Sequence, residues 1–142
     1  MRIGLVSCVK SKLEHRAPAR DLYTSALFRG ARCSVERSCG RWFILSALHG
    51  LVDPDEVLEP YEKTLATASR QERRRWSQAV LMALEQELGA VGPHSFEIHA
   101  GAAYARYGLL EGLSRAGADV ELPLDGLTMG QRLAFYKRTG CL

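Results

Sequence analysis

Reactive side chains concentrate in one stretch of the sequence, between residues 42 and 64. The stretch opens with the apolar run Trp-Phe-Ile-Leu and continues past Ser46 with His49, five acidic residues, two prolines and Tyr61. An imidazole can act as an acid or a base near neutral pH. A carboxylate can activate water or stabilise a cationic, sugar-like transition state. These residue types predict that the segment after Ser46 forms the floor of a site.

Four carboxylates of this stretch are candidates for the chemistry: Asp53, Asp55, Glu56 and Glu59. Most loop acids of this kind are solvated turn residues, so we expect one of the four to act. We take Asp53 or Glu59 as the candidate catalytic carboxylate. The sequence does not separate the four any further.

The neighbours of these acids include candidate binding residues. His49 could hydrogen-bond a ligand or transfer a proton, or it could only bond backbone and fix the loop. Gly50 allows the chain to turn or to approach a ligand closely. Tyr61 could stack on a base or donate its hydroxyl, or it could be an ordinary core or rim tyrosine. Ser46, at the end of the apolar run, is counted with the binding residues.

A second group of polar residues follows the first apolar run of the chain. Ser7, Lys10 and Lys12 lie in a loop that could hold a phosphate group or a nucleic-acid backbone, although two solvated lysines would have the same pattern. Cys8 is a further candidate, because nearby lysines would lower the pKa of its thiol and make it a nucleophile. No second feature selects this cysteine.

Two further pairs of residues are candidates for substrate binding. Asp21 and Tyr23 lie just ahead of a predicted helix, whose N-terminus would favour an anion. Gly101 and Tyr104 follow the third apolar run. Whether these pairs reach the same site depends on the elements that position them.

Strands and helices alternate along the sequence in the order βαβ(loop)αβαβα. Short apolar runs bounded by turn residues predict four strands, at residues 2–7, 41–46, 95–100 and 118–122. Capping residues and helical spacing predict four helices, at residues 25–38, 69–89, 102–116 and 128–138. The alternation predicts a three-layer α/β domain with a four-stranded, mostly parallel sheet, Rossmann-like in the broad sense. Because ligands of such sheets bind beyond the carboxyl ends of the strands, we expect the candidate residues to converge there.

Composition narrows the class of protein. The 142 residues predict one α/β domain over residues 1–142, and a net charge of +3 permits an anionic partner. The first strand is followed by SCVKSK rather than GxGxxG, and no cysteine pair has CxxC spacing, so we expect no dinucleotide cofactor and no metal. No signal peptide and no apolar run of about 20 residues is present, which predicts a cytoplasmic protein with reduced thiols and no membrane partner. The sequence does not indicate an oligomeric state.

Several longer motifs resemble a known family. Residues 7–13, 17–28 and 44–61 look like a bacterial and phage domain of unknown function, which also occurs as a module in archaeal relatives of tRNA-guanine transglycosylase. The resemblance continues at residues 100–104 and 123–126. That domain is similar, more remotely, to the uracil-DNA glycosylase fold and to the DNA-binding peroxide-stress protein YaaA. The resemblance implies a nucleobase or nucleic-acid site, although the water-activating loop of the classical glycosylases is missing after the first strand.

The residues and the resemblance together favour an enzyme that cleaves the N-glycosidic bond of a nucleobase. Its substrate would be nucleic acid, with DNA favoured, or a nucleotide. His49 would hydrogen-bond the departing base, and Tyr61 or Tyr23 would stack on it once it is flipped out. Lys10 and Lys12 would hold the phosphates. The alternatives are a nucleic-acid-binding module without catalysis and a binder of small nucleotides.

Overall fold

The computed structural model describes residues 1–7 and 11–142, so the expectations for Cys8 and Lys10 lie outside the described residues. The strands are β1 Arg2–Ser7, β2 Ala17–Pro18, β3 Arg41–Ser46, β4 Gly50–Val52, β5 Val57–Leu58, β6 Ser95–His99 and β7 Asp119–Glu121. The helices are α1 Ala19–Leu22, α2 Ala26–Ser38, α3 Arg70–Leu88, α4 Ala102–Ala105, α5 Leu109–Arg115 and α6 Met129–Arg138.

The main sheet has five strands in the order β4-β3-β1-β6-β7. The four strands predicted from the sequence are present and pair in parallel, with β1 between β3 and β6. The expected count of four strands was wrong, because β4 adds an antiparallel edge strand beside β3. Its residues follow a tight turn after Ser46, where the sequence indicated only a loop. The result is a mixed α/β fold with a mostly parallel sheet.

The central strands form the core because they are apolar on both faces. In β1 and β3 every residue from Ile3 to Val6 and from Phe43 to Ser46 is buried. Gly4 lets α2 approach this sheet closely, since a Cβ atom there would lie 2.6 Å from the Cβ of Val35. Strands covered on both sides in this way are typical of parallel sheets.

The helices form two groups with the sheet between them. Helix α2 packs on β1, β3 and α6, whereas α3 packs on β4, α4 and α5. Helix α3 buries Trp76, Val80 and Leu84 at the predicted spacing. Right-handed crossovers place the helix after β1 and the helix after β3 on opposite faces, because β3 and β6 lie on opposite sides of β1.

Local signals set the ends of the helices. The side chains of Ser25 and Ser69 accept hydrogen bonds from the backbone N–H groups of Phe28 and Glu72, as N-caps do. Thr128 forms a complete capping box with a glutamine three residues later. The helix predicted over residues 102–116 is divided into α4 and α5 by Gly108, whose φ of 127° is left-handed.

Two cysteines differ from the expectation of reduced thiols. Cys33, on α2, and Cys141, after α6, form a disulfide with 5.5 Å between their Cα atoms. The pair was not visible in the sequence because 108 residues separate the two positions. The tail after α6 folds back on α2, where Arg37 donates hydrogen bonds to the carbonyls of Thr139 and Gly140.

Among the described residues, no helix has the length and apolar content needed to cross a membrane.

Candidate functional site

A chain of hydroxyl groups lies at the carboxyl end of β3. The hydroxyl of Ser46, the last residue of that strand, is 2.6 Å from the hydroxyl of Tyr61. The Tyr61 hydroxyl is in turn 2.6 Å from that of Tyr23. The backbone N–H of His49 donates to the Ser46 hydroxyl at 3.0 Å. Three residues that are distant in the sequence thus share one hydrogen-bonded chain.

A short antiparallel pairing brings Tyr61 to Tyr23. Strand β5 pairs with β2, so that Leu58 lies opposite Ala17. Two backbone bonds extend this contact, from the N–H of Ala19 to Glu56 and from the N–H of Arg20 to Pro54. The segment after β3 is therefore fixed against the segment before α2, and the two tyrosines meet where these segments end.

Lys12 covers the two tyrosines. Its ammonium group lies 4.8 Å from the ring centre of Tyr61 and 5.6 Å from that of Tyr23, within the range of a cation–π interaction. The backbone holds it there, because Lys12 forms an isolated antiparallel bridge with Tyr23. Hydrogen bonds from Leu13 to Leu22 and from Thr24 to Ser11 flank the bridge.

His49 and its glycine form the turn between β3 and β4. The His49 ring is exposed and meets the Tyr61 ring edge to face, with 5.2 Å between the centres. Gly50 has a φ of 72°, a conformation that other residues rarely adopt. Below the turn, the indole of Trp76 donates to the carbonyl of Ser46 at 2.8 Å. Helix α3 thereby fixes the end of the strand that carries the hydroxyl chain.

Lys12, Tyr23, Ser46, His49 and Tyr61 form one cluster of side chains. An open cleft of about 1240 Å³ lies beside this cluster. Its walls come from the N-terminal halves of α2, α3 and α6, from α4 and from the segment after Tyr61. The lining residues are Ser11, Lys12, Ser25, Ala26, Leu27, Glu62, Lys63, Thr64, Ala66, Thr67, Ala68, Glu72, Tyr104, Met129 and Leu133. Lys12 and Tyr104 were predicted from the sequence as binding residues, and both line the cleft.

The cleft combines positive, negative and apolar surface. Among the described residues that line it, Lys12 and Lys63 are cationic, and Glu62 and Glu72 are carboxylates. The Lys63 ammonium is 3.9 Å from the Glu72 carboxylate. The N-terminus of α2 also faces the cleft through Ser25, and a helix N-terminus favours negative charge. Such a surface can hold an anionic group next to an apolar one.

The two predicted carboxylates, Asp53 and Glu59, do not line the cleft. Strand β4 runs antiparallel to β3, so the chain returns towards the amino end of β3. Asp53 there accepts a hydrogen bond from the N–H of Asp55 at 2.9 Å and lies 3.7 Å from the guanidinium of Arg41. Glu59 is exposed and does not line the cleft.

Asp21 is also placed outside the cluster. Its carboxylate accepts a hydrogen bond from the guanidinium of Arg32 at 3.0 Å, on the outer side of α1 and α2. Arg20, the residue before it, forms an ion pair with Asp55. The first pair joins α1 to α2 and the second joins α1 to the segment after β4, which is a structural role.

Ser7 and Gly101 line a second, small cavity of about 20 Å³. It lies between the carboxyl ends of β1 and β6. In the sheet, β3 lies on one side of β1 and β6 lies on the other. The gap between the carboxyl ends of β1 and β6 is therefore the topological switch point, where open α/β sheets bind ligands. Arg132, His99 and Tyr136 also line the cavity.

A buried polar network was missed in the sequence. Glu97 and His99 are 4% and 2% exposed, and Tyr136 is fully buried. The Tyr136 hydroxyl is 2.6 Å from Nδ1 of His99, and Nε2 of His99 is 2.7 Å from Oε2 of Glu97. The signal was present: a strand covered on both faces, with the sequence SFEIH, must bury its charged residues.

The Glu97 carboxylate has further donors. Its oxygens accept hydrogen bonds from Arg2, Ser34 and Ser38, at 2.7, 3.1 and 2.9 Å. Burial alone would raise the pKa of this carboxyl, but the hydrogen bonds from His99, Arg2 and Ser38 outweigh burial and lower the pKa to about 2. Glu97 is therefore an anion that only accepts, so His99 donates through Nε2. In the neutral imidazole, Nδ1 is then the acceptor for the Tyr136 hydroxyl.

Within the part of the chain that the structure describes, no group of three or more His, Cys, Asp or Glu side chains is arranged to hold a metal ion.

Neither the curated proteins nor the solved structures contain a match to the chain. A family model does match, over residues 3–138, which is nearly the whole sequence. The chain belongs to this family, which is described as a family of unknown function (DUF6884).

Proposed function

We propose that the protein binds a nucleobase compound in the large cleft and cleaves its N-glycosidic bond. One observation carries the proposal: a single cleft holds two lysines, an apolar wall and two carboxylates beside a cluster of tyrosine, serine and histidine side chains. A nucleotide unit needs a partner for its phosphate and an apolar surface for its base. Hydrolysis of its glycosidic bond needs a carboxylate near the sugar.

Binding in the cleft would use its cationic and apolar parts separately. Lys12 and Lys63 hold the phosphate, supported by the N-terminus of α2. The base lies on the apolar surface of Leu27, Met129 and Leu133, next to the ring of Tyr104. Stacking of a base on an aromatic ring is tolerant of sequence, and such a surface suits a base removed from its duplex.

The candidate carboxylate is Glu62. It lines the cleft and follows Tyr61 directly, whereas Asp53 and Glu59 do not line it. In the reaction, the bond between the sugar C1′ and the base nitrogen breaks and the base keeps the electron pair. Glu62 stabilises the positive charge that develops on the sugar, and water then adds to C1′ and loses a proton. The departing base takes up a proton, and we assign its hydrogen bond to the exposed His49 ring, which meets the Tyr61 ring next to the cleft but does not line it.

The remote resemblance to the uracil-DNA glycosylase fold supports the same reaction class. It reaches this chain only through the domain of unknown function, whose motifs include residues 7–13 and 44–61. The tyrosines and Lys12 of the cluster come from these motifs and from the one between them. DNA is the favoured substrate, with RNA and free nucleotides as the other members of the same chemical class.

The test is base release from a panel of oligonucleotides that carry modified bases. Each is incubated with excess protein and then treated with alkali, which breaks the strand at an abasic position. A parallel arm offers nucleotides and follows the free base by chromatography. Glu62→Gln should lower the release rate by about a hundredfold or more, since it removes the charge that stabilises the sugar cation. Glu59→Gln, three residues earlier and outside the cleft, should keep the wild-type rate.

A second function is favoured by exposed arginines at the start of α3. Arg70, Arg74 and Arg75 are exposed there and could contact a phosphate backbone without any catalysis. A pure binding module would release no base. The substitution Glu62→Gln would leave its affinity for nucleic acid unchanged, whereas replacement of Lys12 by alanine would lower that affinity. Lys137→Ala, at the other end of α6, is the matched control. Base release by the wild type would reject this reading.

A further inference from the structure

The buried network of Glu97, His99 and Tyr136 is not explained by stability alone. Taking charged groups out of water is costly, and apolar residues of the same volume often stabilise a fold as well or better. Yet the network is fully bonded, with Glu97 accepting from four side chains. Fully bonded networks hold their members in one geometry, which an apolar core does less strictly.

The network ends at the place where the sheet is expected to bind a ligand. His99 is the last residue of β6, at the switch point between β1 and β6. His99 and Tyr136 line the small cavity there, together with Leu27. Leu27 also lines the large cleft. Leu27 therefore contacts both the small cavity that the network lines and the surface on which the base would lie.

Tyr136 connects the network to a wall of the cleft. It is carried by α6, whose first two turns contribute Met129 and Leu133 to that wall. Leu133 lies three residues before Tyr136, so the two side chains are neighbours on the helix. Tyr136 is also held by close contact with Gly30 of α2, where a Cβ atom would lie 2.5 Å from the tyrosine ring. Fixing the Tyr136 hydroxyl fixes the rotation of α6 about its axis.

We propose that Glu97, His99 and Tyr136 are positioning residues that set the rotation of α6, and with it the apolar wall on which the substrate base lies. The inference rests on the proposed function for the identity of the ligand. The claim about α6 itself rests on the 2.6 Å bond that joins Tyr136 of this helix to His99 of β6, and on the 2.7 Å bond that holds His99 against Glu97 on the same strand. None of the three residues touches the substrate.

The experiment compares Tyr136→Phe with a variant of matched stability. Tyr136→Phe removes only the hydroxyl, so packing against Gly30 is kept while Nδ1 of His99 loses its donor. Val91→Ala removes buried methyl groups in the segment between α3 and β6, ahead of the amino end of the strand whose carboxyl end carries His99. Both should lower the melting temperature. Hydrogen exchange of the α6 amides and anisotropy with a labelled DNA oligonucleotide are then measured for both.

The expected result separates the two variants. Tyr136→Phe should speed exchange in residues 132–136 and weaken oligonucleotide binding by about tenfold, whereas Val91→Ala should change neither beyond what its stability loss explains. Equal behaviour of the two variants would overturn the proposal and leave the network a purely structural role. If Tyr136→Phe changes exchange but not the affinity of a wild type that binds, the link to the cleft is rejected. If the wild type binds neither DNA nor nucleotides, the proposed function fails, and the exchange comparison alone decides whether the network positions α6.

Discussion

At the scale of single residues, Glu97 shows how the interior holds a charge. It is nearly fully buried, and four side chains donate to its two oxygens. Tyr136 shows the opposite tendency, because burial raises the pKa of its hydroxyl and keeps it a neutral donor. The two groups therefore keep fixed roles across the physiological range of pH, with His99 between them.

Acid should remove the contribution of Glu97 to stability. Its pKa is about 2 in the folded protein, against an ordinary value of 4.5, so the unfolded chain takes up the proton first as the pH falls. The stabilisation is complete above pH 4.5 and is lost between pH 4.5 and 2, and a shift of this size corresponds to about 3 kcal/mol. Urea unfolding of wild type and Glu97→Gln at several pH values should show the difference between them shrinking by that amount. If the free energies of unfolding of the two proteins changed in parallel with pH, the lowered pKa of Glu97 would be contradicted. The control is Glu121→Gln, because Glu121 is an exposed partner of the same Arg2.

Residue types alone identified much of the cluster but not the carboxylates that line the cleft beside it. Ser46, Tyr61 and Tyr23 were each expected at the site, and the structure joins them by hydrogen bonds. Ser46 was predictable because it ends a strand, and Tyr23 because it lies just before the start of a helix. Asp53 could not be separated from the other acids, because the antiparallel turn that carries it away depends on pairing across the sheet.

At the scale of elements, two glycines on helices do opposite things. Gly30 lies at the crossing of α2 and α6, where its missing side chain admits the ring of Tyr136. Gly130 lies in the first turn of α6, and a Cβ atom there would meet nothing within 4 Å. Helix glycines are otherwise unfavourable compared with alanine. The crossing therefore explains the first glycine, and nothing in the structure explains the second.

Substitution by alanine should separate these two glycines. Gly30→Ala would place a Cβ atom 2.5 Å from Cγ of Tyr136, so the helices must move apart, which we expect to cost about 1–3 kcal/mol. Gly130→Ala should instead be neutral or stabilise by up to about 1 kcal/mol, because it only improves helix propensity. Chemical denaturation of both variants measures the two changes. Equal effects would show that α2 and α6 do not cross as closely as described.

The same scale explains which elements could be predicted. β1, β3 and the three capped helices follow from local signals, namely apolar runs and capping side chains, and their bounds agree with the structure to within a residue or two. Strands β2, β4 and β5 have only two or three residues each and exist because of their partners. No local pattern marks such strands, yet they bring Tyr61 beside Tyr23.

At the scale of the whole molecule, the two helices that line one side of the cleft are joined at their far ends. Helices α2 and α6 both have their N-terminal halves on the cleft. Cys33 and Cys141 link the last part of α2 to the tail that follows α6, and Arg37 adds hydrogen bonds to the same tail. The link spans a sequence separation of 108 in a chain of 142 residues, so its effect is on the whole fold rather than on one element.

Breaking this link should lower global stability and leave the cleft chemistry intact. A disulfide that closes a loop of 108 residues stabilises a fold by about 2–4 kcal/mol, which corresponds to about 10 °C in melting temperature for a chain of this size. Cys141→Ser should melt lower than the wild type by that amount, and dithiothreitol should lower the wild type to the same value without affecting the variant. Cys39→Ser, which changes a cysteine outside the disulfide, should respond to the reductant as the wild type does. A wild type whose melting temperature ignores the reductant would contradict the disulfide, because the tail would then be held by its hydrogen bonds and packing alone.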